Sequence, residues 1–131
     1  MNTLFDPFTL RGVTFQNRVW VSPMCQYSAT DGFVGAWHSA HLGAFATGAP
    51  GLIMVEATGV VPEGRISIGC PTIEDDAHAK AFAPMVEFAH SQGVKMGIQL
   101  AHAGCKASTM RAWDDHLMAS EAEGGWQAVS S

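Results

Sequence analysis

The amino-acid sequence predicts an α/β fold in which parallel strands alternate with helices. Two observations carry this expectation. The apolar runs Leu52-Ile53-Met54-Val55 and Val94 to Leu100 have strand length. The first lacks the alternation of a half-exposed strand and suits a sheet covered on both faces. Before each run lies a segment whose apolar residues recur at helical spacing. The resulting order, hairpin-β-α-β-α-β, fits βαβ units of ~30 residues with one insertion.

The elements follow in order. Residues 1–18 end in RGVTFQNR, where Val13 and Phe15 point one way and Thr14 and Gln16 the other; with Gly12 as turn residue, they predict a short hairpin. Val19-Trp20-Val21, stopped by Ser22-Pro23, predicts the first buried strand. Trp37 to Thr47 predicts a helix whose apolar stripe is Trp37, His41 and Phe45, with Leu42 beside it, ended by Gly48, Pro50 and Gly51. Leu52 to Val55 is the second strand. Glu56 to Thr72, punctuated by Gly59, Pro62, Gly64, Gly69 and Pro71, predicts an excursion with its own turns. Phe82, Met85, Val86 and Ala89 predict a second helix, with Glu74-Asp75-Asp76 on its N-terminal side. Pro84 either opens that helix or kinks a longer one. Gly93 stops it, and Val94 to Leu100 is the third strand. From Lys106 to Ser131 periodicity is lost. The expected division is a hairpin at 1–18, β/α units at 19–104 and a loop-like tail at 105–131.

Composition narrows the function classes. Of 131 residues, 47% are hydrophobic and 15% charged, which suits a folded globular chain. The net charge is -5, and the seven Lys and Arg residues form no basic run, which disfavours nucleic-acid and anionic-membrane binding. No apolar run approaches the ~20 residues that span a bilayer, and the N-terminus has no secretory pattern. Three cysteines, Cys25, Cys70 and Cys105, form no CxxC pair and suit a reducing compartment. A cytoplasmic location is the expectation.

In α/β sheets and barrels, functional groups gather beyond the carboxyl ends of strands. Those positions here carry Ser22-Pro23-Met24-Cys25-Gln26-Tyr27, then Glu56-Ala57-Thr58, then Gln99 and Leu100-Ala101-His102. This neutral, hydrogen-bonding set suits a planar polar heterocycle better than a phosphoryl group. Plain structural readings stand beside the functional ones. Cys25 could be a small buried hydrophobe and Tyr27 a packing aromatic. Gln99 could satisfy backbone groups, and Glu56 could belong to an ion pair. His38 with His41, and His102 with Cys105, stand three apart but lack the ligand spacing of a zinc cage, so no metal ligand is assigned. The GxxxxGK[ST], GxGxxG and GxSxG patterns are absent.

The stretches LFDPFTLRGVTFQNRV, SPMCQY, HLGAFATGAPGLIMVEATGVVPEGR and GIQLAHAG resemble the N-terminal part of the Old Yellow Enzyme family, closest to its thermophilic-like ene-reductase branch. The resemblance runs from Leu4 to Lys106. It implies the N-terminal portion of a TIM (β/α)8 barrel, about three of eight strands. It also implies non-covalent FMN, NAD(P)H as reductant, and reduction of α,β-unsaturated aldehydes and ketones.

Residue by residue, the resemblance implies that Ser22, Pro23, Met24 and Cys25 run along the isoalloxazine ring. Cys25 would lie near N5 and O4, Ala57 would offer backbone contact, and Gln99 would bond the pyrimidine edge. Tyr27 would line the substrate pocket. Cys25 and Tyr27 are thus the candidate catalytic residues. Arg65 matches a family position without an assignable role, and Cys105 stands where many relatives have arginine. The family's carbonyl-holding pair (two histidines, or His and Asn), its tyrosine proton donor and its FMN-phosphate strands and loops correspond to positions after Ser131. The expected partners are therefore an enone or enal substrate and a complementary barrel segment or a second copy of the chain. A non-catalytic assembly module and a metal-dependent α/β hydrolase are the alternatives.

Overall fold

The computed structural model describes residues 3–129, so the outermost positions of the expected hairpin region and tail, 1–2 and 130–131, lie outside the described residues. Strands β1 (Phe8–Leu10) and β2 (Val13–Phe15) pair antiparallel as the expected hairpin. Gln16 and Asn17 then tie it down. Gln16 Nε2 donates to Ala49 O and Pro50 O, and Asn17 Nδ2 donates to Ala49 O.

Three parallel strands form the sheet, in the order β3 (Trp20–Val21), β4 (Leu52–Gly59), β5 (Lys95–Ala101). Helix α1 (Ala36–Thr47) connects β3 to β4, and α2 (Asp76–Ser91) connects β4 to β5. Ile53 and Val55 of β4 meet Leu42 and Ala46 of α1 and Phe82, Met85 and Ala89 of α2 in one core. Burying the larger of these side chains, Leu42, Ile53, Val55, Phe82 and Met85, stabilises the layer by about 1.5–3 kcal/mol each. Every residue of β4 except Met54 is buried, as its unbroken apolar run predicts.

Three expectations need correction. The first strand is shorter than Val19–Val21 and is not buried: Trp20 is 44% exposed. Among the described residues it has one neighbour in the sheet, and the Trp20 ring meets Phe8 and Phe15 of the hairpin while staying partly open to solvent. The buried stripe of α1 is His38, Leu42 and Ala46, one position away from the expected Trp37, His41 and Phe45. Trp37 lies outside, 57% exposed. Finally, β4 continues through Glu56 to Gly59, so the excursion begins four residues later than its turn residues suggest.

Pro84 lies inside α2, the longer-helix alternative. Asp75 caps that helix, its carboxylate accepting the His78 N–H at 2.9 Å. Gly93 follows with φ +76, a left-handed conformation that suits glycine. The tail keeps its irregular character, but it is not free. Thr109 bridges both Ser67 and Met118, and Trp126 Nε1 donates to Glu63 O at 3.0 Å.

Candidate active site at the carboxyl rim of the sheet

The bulge in β4 builds the centre of the site. Val55 pairs with Ile98 and Ala57 with Gln99, which leaves Glu56 as the extra residue. A bulge breaks the two-residue alternation and re-aims a side chain. Glu56 is buried, and its carboxylate reaches two other elements. Its Oε2 accepts the main-chain N–H of Gln26 at 2.9 Å. Its Oε1 lies 3.2 Å from His38 Nε2, although the imidazole is not aligned to donate to it. The His38 Nδ1 accepts the Gly35 N–H, so the neutral ring carries its proton on Nε2, facing the carboxylate. Glu56 therefore serves as a structural anchor, as the plain reading of the sequence allowed.

That anchor fixes the segment after β3. Gln26 is held further by its own side chain: Nε2 donates to Met24 O, and Oε1 accepts from Trp37 Nε1. A second loop closes on the same segment. Ala29 N donates to Gly69 O at 2.9 Å, and a Cβ at Gly69 would collide with the Tyr27 carbonyl. Only glycine permits this approach of two backbones. The consequence is that Cys70 sits directly beneath Cys25.

Cys25 is half-buried and Cys70 fully buried. Their sulfur atoms and a Glu56 carboxylate oxygen all lie within 4.8 Å of one another. The Cys70 thiol donates to the Cys25 sulfur and lowers the Cys25 pKa to about 7, against burial and the Glu56 charge, which raise it. The main-chain N–H groups of Ala57 and of Cys25 itself also help hold the thiolate. Cys70 is pushed far up, because it supplies the shared proton and is buried. Tyr27 is raised by burial first and by the two cysteines and Glu56 after it.

The rim thus brings together Cys25 and Ala57, and the register places Gln99 beside Ala57. Gln99 is exposed, and its amide makes no hydrogen bond among the described residues. Ser22, Pro23 and Met24 lead from β3 to Cys25 along the same edge. Tyr27 turns away from this line. It has φ +52 and meets Trp113 edge-on at 5.9 Å. Its ring borders a hollow of about 440 Å³ shared with Ile66, Thr109, Met110, Arg111 and Leu117.

The two histidine-based pairs do not converge. His38 faces Glu56, whereas His41 stacks on Trp37 and meets Phe45 edge-on. The helical spacing points to His41 as a core histidine of α1; His41 is only half-buried, and the buried histidine of that helix is His38 instead. His102 Nδ1 accepts the Gly104 N–H, and Cys105 is exposed. Arg65 stacks over Trp126 at 4.6 Å. The set that could ligate a metal is Cys25, Glu56 and Cys70, two soft donors and one hard one. Sequence reasoning missed Cys70 and His38, since nothing local to either residue announces a partner on another element.

Parallel βα units that gather a thiol, an amide and main-chain donors at their carboxyl ends match the opening part of a TIM-barrel fold. The chain belongs to the NADH:flavin oxidoreductase / NADH oxidase family, whose sequence profile matches residues 3–129. It is 46% identical over 124 residues to the NADH:flavin oxidoreductase FG08077 of Gibberella zeae, covering 94% of this chain and 30% of that protein. It is 51% identical over 110 residues to the NADPH dehydrogenase of Geobacillus thermodenitrificans, covering 82% and 32%. The Old Yellow Enzyme from Pichia sp. AKU4542 superposes on 80% of this chain and 28% of its own, with TM-score 0.74 and 26% identity. The chain therefore spans about a third of the length of the curated relatives it matches. It corresponds to the N-terminal part of these TIM-barrel proteins, as its motifs imply. No helix among the described residues is long and apolar enough to cross a membrane.

Proposed function

We propose that this chain is the N-terminal segment of an FMN-dependent ene-reductase that uses NAD(P)H to reduce activated C=C bonds of α,β-unsaturated carbonyls. The observation that carries the reading is the adjacency of Cys25, Ala57 and Gln99 on one rim, in a chain of the NADH:flavin oxidoreductase family. The donor set fits a flavin: a half-exposed sulfur with thiolate character, and an amide able both to donate and to accept. Ser22, Pro23, Met24, Cys25, Ala57 and Gln99 would hold the ring, and FMN would supply hydride transfer between the nicotinamide and the alkene.

The chain's own residues set the environment. The Cys25 sulfur presents electron density, balanced by the Ala57 N–H and the Cys70 proton. Gln99 offers a free amide at the rim. Tyr27, Ile66 and Leu117 wall the adjoining hollow, where an enone or enal would enter. Both β3 and β5 are edge strands with one neighbour each among the described residues. Leu100 on β5 is 60% exposed. Unpaired edges of this kind call for further strands. A complementary barrel segment or a second copy of the chain would supply them.

The test joins this chain to the remaining part of the Geobacillus thermodenitrificans NADPH dehydrogenase. A yellow barrel that consumes NADPH only when 2-cyclohexenone is added supports the proposal. A folded barrel that retains no flavin rejects it, and one that retains flavin but leaves the enone untouched rejects the substrate class.

A further inference from the structure

Cys70 has no part in the reading above, yet it is buried against the most reactive group of the site. Three geometric facts single out the pair. The sulfur atoms of Cys25 and Cys70 share a sphere of 4.8 Å. The loops that carry them are locked together through Ala29, Gly69 and Tyr27. Cys25 is half-buried and open to the rim, whereas Cys70 behind it is sealed. Cys105, exposed in the tail, belongs to neither loop.

We propose that Cys25 and Cys70 form a peroxide-reactive dithiol pair, with Cys25 as the attacking thiol and Cys70 as the resolving one. The Cys25 thiolate attacks hydrogen peroxide; the O–O bond breaks, an S–O bond forms, and with one proton the other oxygen leaves as water. The Cys70 sulfur then displaces the hydroxyl from the Cys25 sulfenic acid. The Cys70 proton leaves with that hydroxyl as a second water, and the S–S bond forms. Two thiols are oxidised by two electrons, and one peroxide is reduced to two waters.

A low thiol pKa, partial exposure and an adjacent second thiol are the features of redox-responsive cysteines. Cys25 has all three. The groups facing it are Cys70 from the second loop, and Glu56 and the Ala57 N–H from β4. A disulfide requires about 2 Å between sulfurs. The neighbouring residues Gly69 and Tyr27 already hold the two loops in backbone contact, so the sulfurs have only the remaining distance to close. The oxidation itself uses only the two thiols and the peroxide. If the flavin reading holds, the disulfide also removes the Cys25 thiol from the rim, and a reductant restores it.

Trypsin provides the readout, because cleavage after Arg65 puts Cys25 and Cys70 on separate peptides. The folded protein is treated with hydrogen peroxide, free thiols are alkylated, and the digest is analysed by mass spectrometry. The expected product joins the peptide starting at Val19 to the one starting at Ile66, two hydrogens lighter than their sum and split by dithiothreitol. Cys105 stays alkylated. In Cys70→Ser the link disappears and dimedone traps a sulfenic acid on Cys25. Sulfinic acid on Cys25 with Cys70 still alkylated overturns the proposal. So do a link to Cys105, or stoichiometric zinc that shields both thiols. None of these readouts involves flavin, so failure here is distinct from failure of the enzymatic reading.

Discussion

The Glu56 carboxylate accepts the main-chain N–H of Gln26 at 2.9 Å, joining the bulge of β4 to the segment that carries Cys25 and Tyr27. Glu56 is buried in the strand, Gln26 lies in the segment after β3, and the contact between them is partly screened from water. Replacing Glu56 with Ala leaves the Gln26 N–H without its partner and His38 Nε2 facing no carboxylate. The expected cost is about 1–3 kcal/mol, the usual penalty for a stranded buried polar group. Urea denaturation of wild type and Glu56→Ala measures it. An unchanged midpoint would mean that the loop is held by its other contacts alone.

The same carboxylate and Cys70 act on Cys25 in opposite directions. Glu56 raises the Cys25 pKa by repulsion, and Cys70 lowers it to about 7 by donating its proton. Cys70→Ala should therefore move the pH profile of iodoacetamide alkylation at Cys25 upward, towards the ordinary thiol range. Glu56→Gln should move it downward. Shifts of the same sign in both variants would contradict this account of the pair.

The N-terminus of α2 carries a pH response. Burial pulls the His78 pKa down, but hydrogen bonds to Asp75 and the Asp31 carbonyl, with the Asp75 and Glu74 charges, leave it raised. A raised histidine contributes stability below its unfolded value of about 6.5, and that contribution is lost as pH rises through the folded pKa. Asp75 is lowered by the His78 N–H and imidazole, so its own contribution holds across this range and is lost only in acid. Denaturation midpoints should fall as pH rises through neutrality, and His78→Gln should flatten that slope. An identical slope in the variant would assign the effect elsewhere.

The proposed function gives Gln99 a part in cofactor retention. Its exposed amide has no hydrogen-bond partner among the described residues. In the completed barrel, Gln99→Ala should weaken FMN binding by about 1–3 kcal/mol, if one polar edge of the ring is stranded. Fluorescence of released flavin during dilution reads this directly. Equal retention in the variant would remove Gln99 from the site.

How far the sequence foretold these relationships depends on their range. The hairpin, β4, β5 and both helices were legible because apolar spacing and turn residues are local signals. Trp20 misled because an apolar β-prone run reads alike in an edge strand and a central one. In α1, Trp37 drew the stripe towards itself, whereas the real face is set by His38 reaching Glu56 and by small Ala46 fitting the core. The rim positions of Cys25, Ala57 and Gln99 followed from strand ends. Cys70 did not, because a loop residue brought home by the close approach of Gly69 to Tyr27 leaves no pattern in the chain. The bulge at Glu56 was equally silent: a single skipped register position is a property of two strands, not one.

The most direct measurement is the flavin midpoint potential of the completed barrel with and without the Cys25 sulfur. If the segment from Ser22 to Cys25 lies against the ring, Cys25→Ala shifts that potential while FMN stays bound. A flavin whose potential is the same in both proteins would place Cys25 away from the ring and contradict the account.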